Sequence, residues 1–400
     1  MLRSLLTLMS GGVFRQVSMI AALPVLSRLY DAEAFGQLSA VMAMVSLSAV
    51  VVHGRYHLAV PVAVDDEEAA DLCRLALLAS LSLSLPAVWL VWFVFGRVED
   101  AATTVALATA ITFATATADV AAYWRARVKR FAASARIDAG RAVATLAGQF
   151  ALVPLGALGL IFGTLGGAVT AAALGAWTVR SVRDLSTSAT RLLKVARTYR
   201  SYPLFGVPQG WMASASHNLM PLLLLKFASL AFVGQYWLAY RLMLTPVALV
   251  GHTYRQAVLS DLKGGMTASN IETCRQHTLA LLALGLIPCT LLILHGELIF
   301  ALLLGSGWAQ AGAIAGWLGI AFMADAFKIP TVTLLQAAGR QRDILVWEAG
   351  IFASRYGIAV PLLLDGRPMA AIGAYACTGM ICWTAFCIAQ LRRRRSPMTA

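Results

Sequence analysis

Apolar runs of bilayer-crossing length recur from one end of the chain to the other, separated by short polar turns. The first is Leu5–Ser27 and the second Phe35–Gly54; others lie at 73–96, 102–123, 138–155, 157–179, 203–225, 231–252, 278–302, 311–335, 342–364 and 368–391. A membrane-spanning helix needs roughly 20 mostly apolar residues, so the pattern predicts about twelve transmembrane helices. Two regions are less regular. The pair at 138–179 is divided only by Pro154 and glycines, and the run at 203–225 is broken by Pro208, His217 and Pro221.

Composition agrees with the pattern. Of 400 residues, 59% are hydrophobic and 13% charged, and the mean hydropathy is +0.74. These values belong to an all-α polytopic membrane protein, not to a soluble domain. Arg15 interrupts the first run and only Arg3 precedes it, unlike a cleaved signal peptide, so this helix is expected to remain as a span. The six cysteines show no metal-site spacing; Cys377, Cys382 and Cys387 are expected to pack as small hydrophobes. No metal or cofactor is expected.

The net charge of +13 would suit a nucleic-acid partner, but its distribution argues against one. With the N-terminus inside, the cytoplasmic segments hold Arg3, Arg74, Arg125, Arg127, Lys129, Arg130, Arg136, Arg180, Arg183, Arg191, Lys194, Arg197, Arg200, Arg255, Lys263, Arg275, Arg340, Arg342 and Arg392 to Arg395. The outer turns hold only Arg28, Arg97, Lys226 and Arg367, a ratio of 22 to 4. Such asymmetry places both termini in the cytoplasm, with the final arginines anchored at the anionic inner leaflet.

One polar linker is long. Its sequence, RSVRDLSTSATRLLKVARTYR over Arg180–Arg200, reads as a basic amphipathic surface helix. It divides the chain into an N-terminal six-helix bundle at 1–180, the linker at 181–200 and a C-terminal six-helix bundle at 201–400. The halves show short matches: Phe35-Gly36-Gln37 with Val233-Gly234-Gln235, Arg28 with Lys226, Tyr56 with Tyr254, and Asp138-Ala139-Gly140 with Glu348-Ala349-Gly350. Together they point to an internal repeat, in which a substrate site lies at the repeat interface.

Charged residues inside the spans are the candidate chemistry. Arg15 is near the middle of the first run, where a guanidinium costs about 2.5–3.5 kcal/mol on insertion scales. It either enters a watery lumen or bonds a neighbouring helix. Arg241 and Arg355 are also mid-span and read as lumen anion contacts or structural ion pairs. Arg55 and Arg141 are closer to the cytoplasmic boundary, where long side chains can snorkel. Glu348, seven residues before Arg355, faces the same way and would orient it or sit solvated. Asp325 and Lys328 can pair on one helical face. His217, among Ser214, Ser216 and Asn218, is a proton-coupling candidate or a hydrogen-bonded structural histidine. His53 and His57 read as interfacial. The spans thus read as mainly cationic, which suits a phosphate-bearing substrate.

The stretches RLYDAEAFG (Arg28–Gly36) and GRYHLAVPVAVDDEEA (Gly54–Ala69) resemble the N-terminal signature of the polysaccharide-exporter and O-antigen flippase family of Wzx type. That family belongs to the MOP superfamily, which also holds the multidrug MATE exporters and the lipid II flippase. The resemblance covers about 45 residues. It implies two six-helix bundles around a central cavity and alternating access. It also implies a function: a flippase moving polyprenyl-pyrophosphate-linked oligosaccharide across the bacterial inner membrane, for O-antigen or exopolysaccharide, beside a polysaccharide polymerase or co-polymerase. This chain has His57 where the family usually has a glutamate, so a coupling carboxylate at that place is missing. Two other readings remain. A MATE-like cation antiporter is disfavoured by the lack of deep carboxylates in the first two helices. A membrane-embedded glycan polymerase or ligase is disfavoured by the short outer turns. Asp65-Asp66-Glu67-Glu68 reads as a cap for the next helix rather than a catalytic cluster.

Overall fold

The computed structural model describes residues 2–96, 100–179, 188–258 and 266–391. Among these residues the chain is helical and contains no strand. The helices are α1 Leu2–Leu29, α2 Ala32–Val52, α3 Asp66–Phe95, α4 Ala101–Arg127, α5 Phe131–Ala151, α6 Ala157–Thr178 and α7 Ala189–Thr198. They continue as α8 Val207–Phe227, α9 Leu230–Val258, α10 Ala268–Leu304, α11 Ala309–Phe327, α12 Ile329–Ala337, α13 Gln341–Leu364 and α14 Pro368–Leu391. All but α7 and α12 match the apolar runs in order. Among the described residues, seven helical stretches are long and apolar enough to cross a membrane by length and composition. Helices α1, α5, α8, α9 and α13 fall outside that group; α1, α5, α9 and α13 carry Arg15, Asp138 and Arg141, Arg241, and Glu348 and Arg355. The chain is a multi-pass membrane protein of the all-α class.

Helix starts follow from side-chain caps, which satisfy amide donors that have no partner within the helix. The carboxylate of Asp31 accepts the Ala34 amide at 2.8 Å and starts α2. Asp65 accepts the Glu68 amide at 2.7 Å, while Glu68 reaches back to the Val64 amide at 2.8 Å, closing a capping box before α3. The acidic loop therefore caps a helix, as its position suggests. Asp100 starts α4 by accepting the Thr103 amide at 3.1 Å, and this bonding holds its carboxyl below the usual range.

Two compact units make up the chain, Met1–Gly234 and Gln235–Ala400. In the first, α5 packs on α1 and α6, and α4 on α3 and α6. Small residues let these backbones approach: a Cβ built on Gly148 of α5 would stand 2.7 Å from the Gly163 Cα of α6. The first unit also takes in α7 and α8. Helix α8 lies along α2, with Ser214 Oγ donating to the Ser46 carbonyl at 3.1 Å. It is continuous through Pro221, after a π-helical turn at Tyr202–Gly206. The matched glycines of the repeat meet here, where a Cβ on Gly234 would lie 2.8 Å from the Gly36 nitrogen.

In the second unit, α11 packs on α10 and α14, and α13 on α14. Gly296 and Gly312 face each other where α10 crosses α11. Gln235 pins the start of that crossing: its amide donates to the Gly307 carbonyl at 2.7 Å and accepts the Ala311 amide at 2.9 Å.

The described part of the linker forms α7, with Val195 buried and Leu193 exposed, as an amphipathic surface helix requires. Its Arg191 is clasped by the acidic start of α3, bonding Glu67 and, at 2.7 Å, the buried Asp71. Those carboxylates hold the Arg191 pKa above its ordinary value. Tyr199 adds a 3.1 Å bond to Glu68. Arg180, Arg183, Lys263, Arg97 and the terminal arginines Arg392 to Arg395 lie outside the described residues.

Candidate functional site

Helices α4 and α5 form an antiparallel hairpin turning at Val128–Lys129, with Lys129 in the left-handed region at φ 55°. Beyond the turn the two helices separate and each packs on α6. Asp119 is nine residues before Val128 and Asp138 nine after Lys129, and both line one cavity of about 250 Å³ in the first unit. Arg141, one turn beyond Asp138 on α5, lines it too, with Tyr123 and Ser134.

Arg15 of α1 faces this group. Its Nε stands 3.9 Å from Asp138 Oδ1, with the two side chains 41% and 37% exposed. The Arg15 Nε is itself buried and makes no hydrogen bond among the described residues. Arg141 lies within electrostatic reach of Arg15, Asp119 and Asp138. From α2, His53 Nε2 stands 3.8 Å from Asp119 Oδ2. His53 is 4% exposed, so it is a buried partner of the cluster. His57 stacks on it at 4.2 Å and meets Tyr123 edge-on at 4.9 Å. Burial, with the His53 and Arg55 charges, lowers the His57 pKa to about 3, so this ring is neutral at ordinary pH.

The structure thus joins Arg15 and Arg141 and adds two carboxylates that the reading of the spans as mainly cationic overlooked. The argument from missing carboxylates fails for this unit as a whole. The sequence did hold a clue in the symmetry of Asp119 and Asp138 about the turn. Nearby Arg125 is different in kind. It is 3% exposed, and it ties α4 to α5 and α6 by donating to Ser134 Oγ at 2.9 Å and Thr178 Oγ1 at 3.3 Å.

Arg55 stands at the edge of this group, within electrostatic reach of His57 and Tyr123. It follows α2 in the left-handed region at φ 60°. Its guanidinium lies against Gly210 of α8, where any Cβ would collide with it. It is held by packing and does not reach outward from a helix end. His217 is exposed on α8. Its neighbour Asn218 donates back to the Ser214 carbonyl at 3.0 Å.

The second unit holds its own charged group. Arg355 on α13 is 7% exposed. Its Nη1 donates to Tyr375 Oη at 3.3 Å, and its guanidinium carbon lies 4.6 Å from the centre of that ring. Gly379 leaves the space it occupies. Nε and Nη2 make no hydrogen bond among the described residues. Tyr356 stacks near Tyr375 at 5.5 Å, and Asp325 is within electrostatic reach. Asp325 pairs with Lys328 at 2.6 Å, as their spacing predicts, and Lys328 Nζ lies 3.9 Å over Trp383. Glu348 is exposed and near Lys328 and Asp325; the partner that holds Arg355 is Tyr375. Arg241 on α9 lies 5.5 Å over Trp237, one turn earlier. All six cysteines are free thiols; Cys387 is buried in a core cluster and Cys377 is exposed.

No known protein family and no curated protein matches the chain by sequence. Solved structures do match its fold. One is a lipid II flippase, MurJ, in an inward closed conformation: TM-score 0.72 and 12% identity, covering 97% of this chain and 88% of that one. Another is a multidrug resistance MATE family transporter of the MOP superfamily in an inward-facing conformation: TM-score 0.57 and 16% identity, covering 94% of this chain and 98% of that one. At such identities the likeness is one of architecture, and the architecture is that of the MATE and MurJ transporters.

Proposed function

We propose that the chain is a flippase that moves polyprenyl-pyrophosphate-linked oligosaccharide across the inner membrane by alternating access, with both termini cytoplasmic. The observation that carries this reading is the Arg15 guanidinium, whose Nε makes no hydrogen bond among the described residues and faces Asp138, a residue that lines one cavity with Arg141. A guanidinium fork matches phosphate oxygens in pairs. Arg355 and Arg241 would supply further anion contacts in the second unit. The N-terminal signature supports the substrate class, and the MurJ-like architecture is compatible with a lipid substrate. A polymerase or co-polymerase remains the expected partner. The inside-negative potential would favour outward movement of the anionic headgroup by about 2.3 kcal/mol per charge per 100 mV.

The test is flipping of a lipid-linked oligosaccharide in proteoliposomes. Arg15→Ala and Arg241→Ala should slow it while membrane insertion is retained. Arg15→Lys should also slow it, because charge remains but the fork is lost. Wild-type rates in both alanine variants would reject the reading. Asp119 and Asp138 favour a second reading, a MATE-like cation antiporter. Uptake of a cationic dye, lost in Asp119→Asn and unaffected by Arg15→Ala, would select it.

A further inference from the structure

We propose that Asp138 is the resident counter-anion of Arg15 and Arg141: a ligand phosphate binds by displacing the Asp138 carboxylate, and the return of that carboxylate drives the phosphate off. The inference rests on the phosphate reading given above and assigns that site its release device.

Bond closure is the first support. Charge-assisted N–H···O bonds close at about 2.7–2.9 Å. Elsewhere this chain makes them: Arg127 to Asp66 at 2.9 Å, Arg74 to Asp71 at 2.8 Å, Lys328 to Asp325 at 2.6 Å. Arg15 and Asp138 face each other at 3.9 Å without closing, and Asp119 and His53 do the same at 3.8 Å. The attraction is present while the hydrogen bonds are not, so the guanidinium keeps donors to offer.

Access is the second support. Asp138 and Arg141 line the cavity, and Arg15 and Asp138 are each more than a third exposed. Neither side chain is sealed in by helix packing.

Charge balance is the third. The groups that face Asp138 are Arg15 from α1, Asp119 and Arg125 from α4, and Arg141 from α5; His53 from α2 adjoins Asp119. Arg125 is committed to Ser134 and Thr178. Those hydroxyls are neutral, so its charge stands: three guanidinium groups meet two carboxylates, a resting set with one surplus positive charge. Carboxylate and phosphate oxygens compete for one guanidinium fork, so the site exchanges one anion for another and is never left bare. Binding is weaker for this competition and release is faster.

The experiment uses the full chain in nanodiscs and proteoliposomes, with undecaprenyl pyrophosphate as the binding probe, inorganic pyrophosphate as its competitor, and a lipid-linked oligosaccharide for flipping. D138N should bind the probe about fivefold more tightly, the fold-change that matches a partly exposed ion pair of ~1 kcal/mol, yet flip more slowly. D138E should bind as the wild type does. In R15A/D138N the tighter binding should disappear. Loss of a merely structural aspartate would weaken binding and flipping together, so the opposite signs identify the counter-anion. If the wild type binds and D138N binds equally or more weakly, the inference is overturned and the flippase reading stands. If the wild type does not bind the probe at all, both fall.

Discussion

Replacing Arg355 by methionine separates a working charge from a structural one. The guanidinium is 7% exposed, and two of its nitrogens, Nε and Nη2, make no hydrogen bond among the described residues. Each buried unsatisfied donor costs about 1–3 kcal/mol, so the pair costs about 2–6. Against this stand the contact with the Tyr375 ring, ~1–2 kcal/mol, and one long hydrogen bond at 3.3 Å worth about 0.5–1 kcal/mol. Methionine fills similar space and brings no polar group. R355M should therefore be more stable than the wild type by about 1–3 kcal/mol, or several degrees in Tm. Its flipping of lipid-linked oligosaccharide should nonetheless fall at least tenfold. Thermal denaturation in detergent and flipping in proteoliposomes measure the two halves. A lower Tm together with lost flipping would show that Arg355 is an anchor for Tyr375, and the account of its role would be refuted.

The Asp325–Lys328 pair predicts the reverse pattern. Its side chains are 13% and 20% exposed, so D325N strands a buried ammonium and should cost about 3–5 kcal/mol, while D325N/K328M should recover most of it; equal melting of D325N and the wild type would contradict this. The clasp on α7 predicts a local effect. R191A should speed hydrogen exchange of the amides at 189–198 and leave the melting of the spans unchanged; unaltered exchange would mean that packing of Val195 alone holds the helix.

Much of the fold was legible because bilayer length and backbone satisfaction leave a chain this apolar few alternatives. Eleven of the twelve apolar runs became single helices. The run at 311–335 became α11 and α12, which abut at Lys328, and the ambiguous pair at 138–179 resolved into α5 and α6 at Val153–Leu155. Caps at Asp31, Asp65 and Asp100 were visible as acidic residues before apolar stretches. The unit boundary was harder to read. The basic linker marks a change in composition, but α8 is held by packing against α2, and the first compact unit runs to Gly234. Hydropathy carries no information about such a choice of neighbour.

The candidate site was legible in its cations and not in its anions. Arg15, Arg241 and Arg355 stand out because each interrupts an otherwise apolar run. Asp119 and Asp138 lie nearer a turn crowded with Arg125, Arg127, Lys129 and Arg130, and in one dimension they read as part of that polar boundary. Only the packing of α4 and α5 on α6 brings them to one cavity. Likewise Glu348 and Arg355 share a face by spacing, yet seven residues separate them by about 10.5 Å along the axis, and Tyr375 reaches the guanidinium instead.

Which arginines work is then a question of bond closure more than of depth. Two bare guanidinium groups within the spans would cost about 5–7 kcal/mol on insertion scales, and such a cost calls for compensation. The chain compensates in two distinct ways. Arg125 is buried and donates to Ser134 and Thr178; it fastens three helices. Arg15 and Arg141 are compensated at a distance, by carboxylates close enough to offset charge and too far to consume hydrogen-bond donors. A closed pair would be the more stable solution locally. Its absence at Arg15, in a chain that closes its ion pairs at Asp66, Asp71 and Asp325, is what a site for a passing anion requires: attraction enough to admit a phosphate, and a resident rival to let it leave.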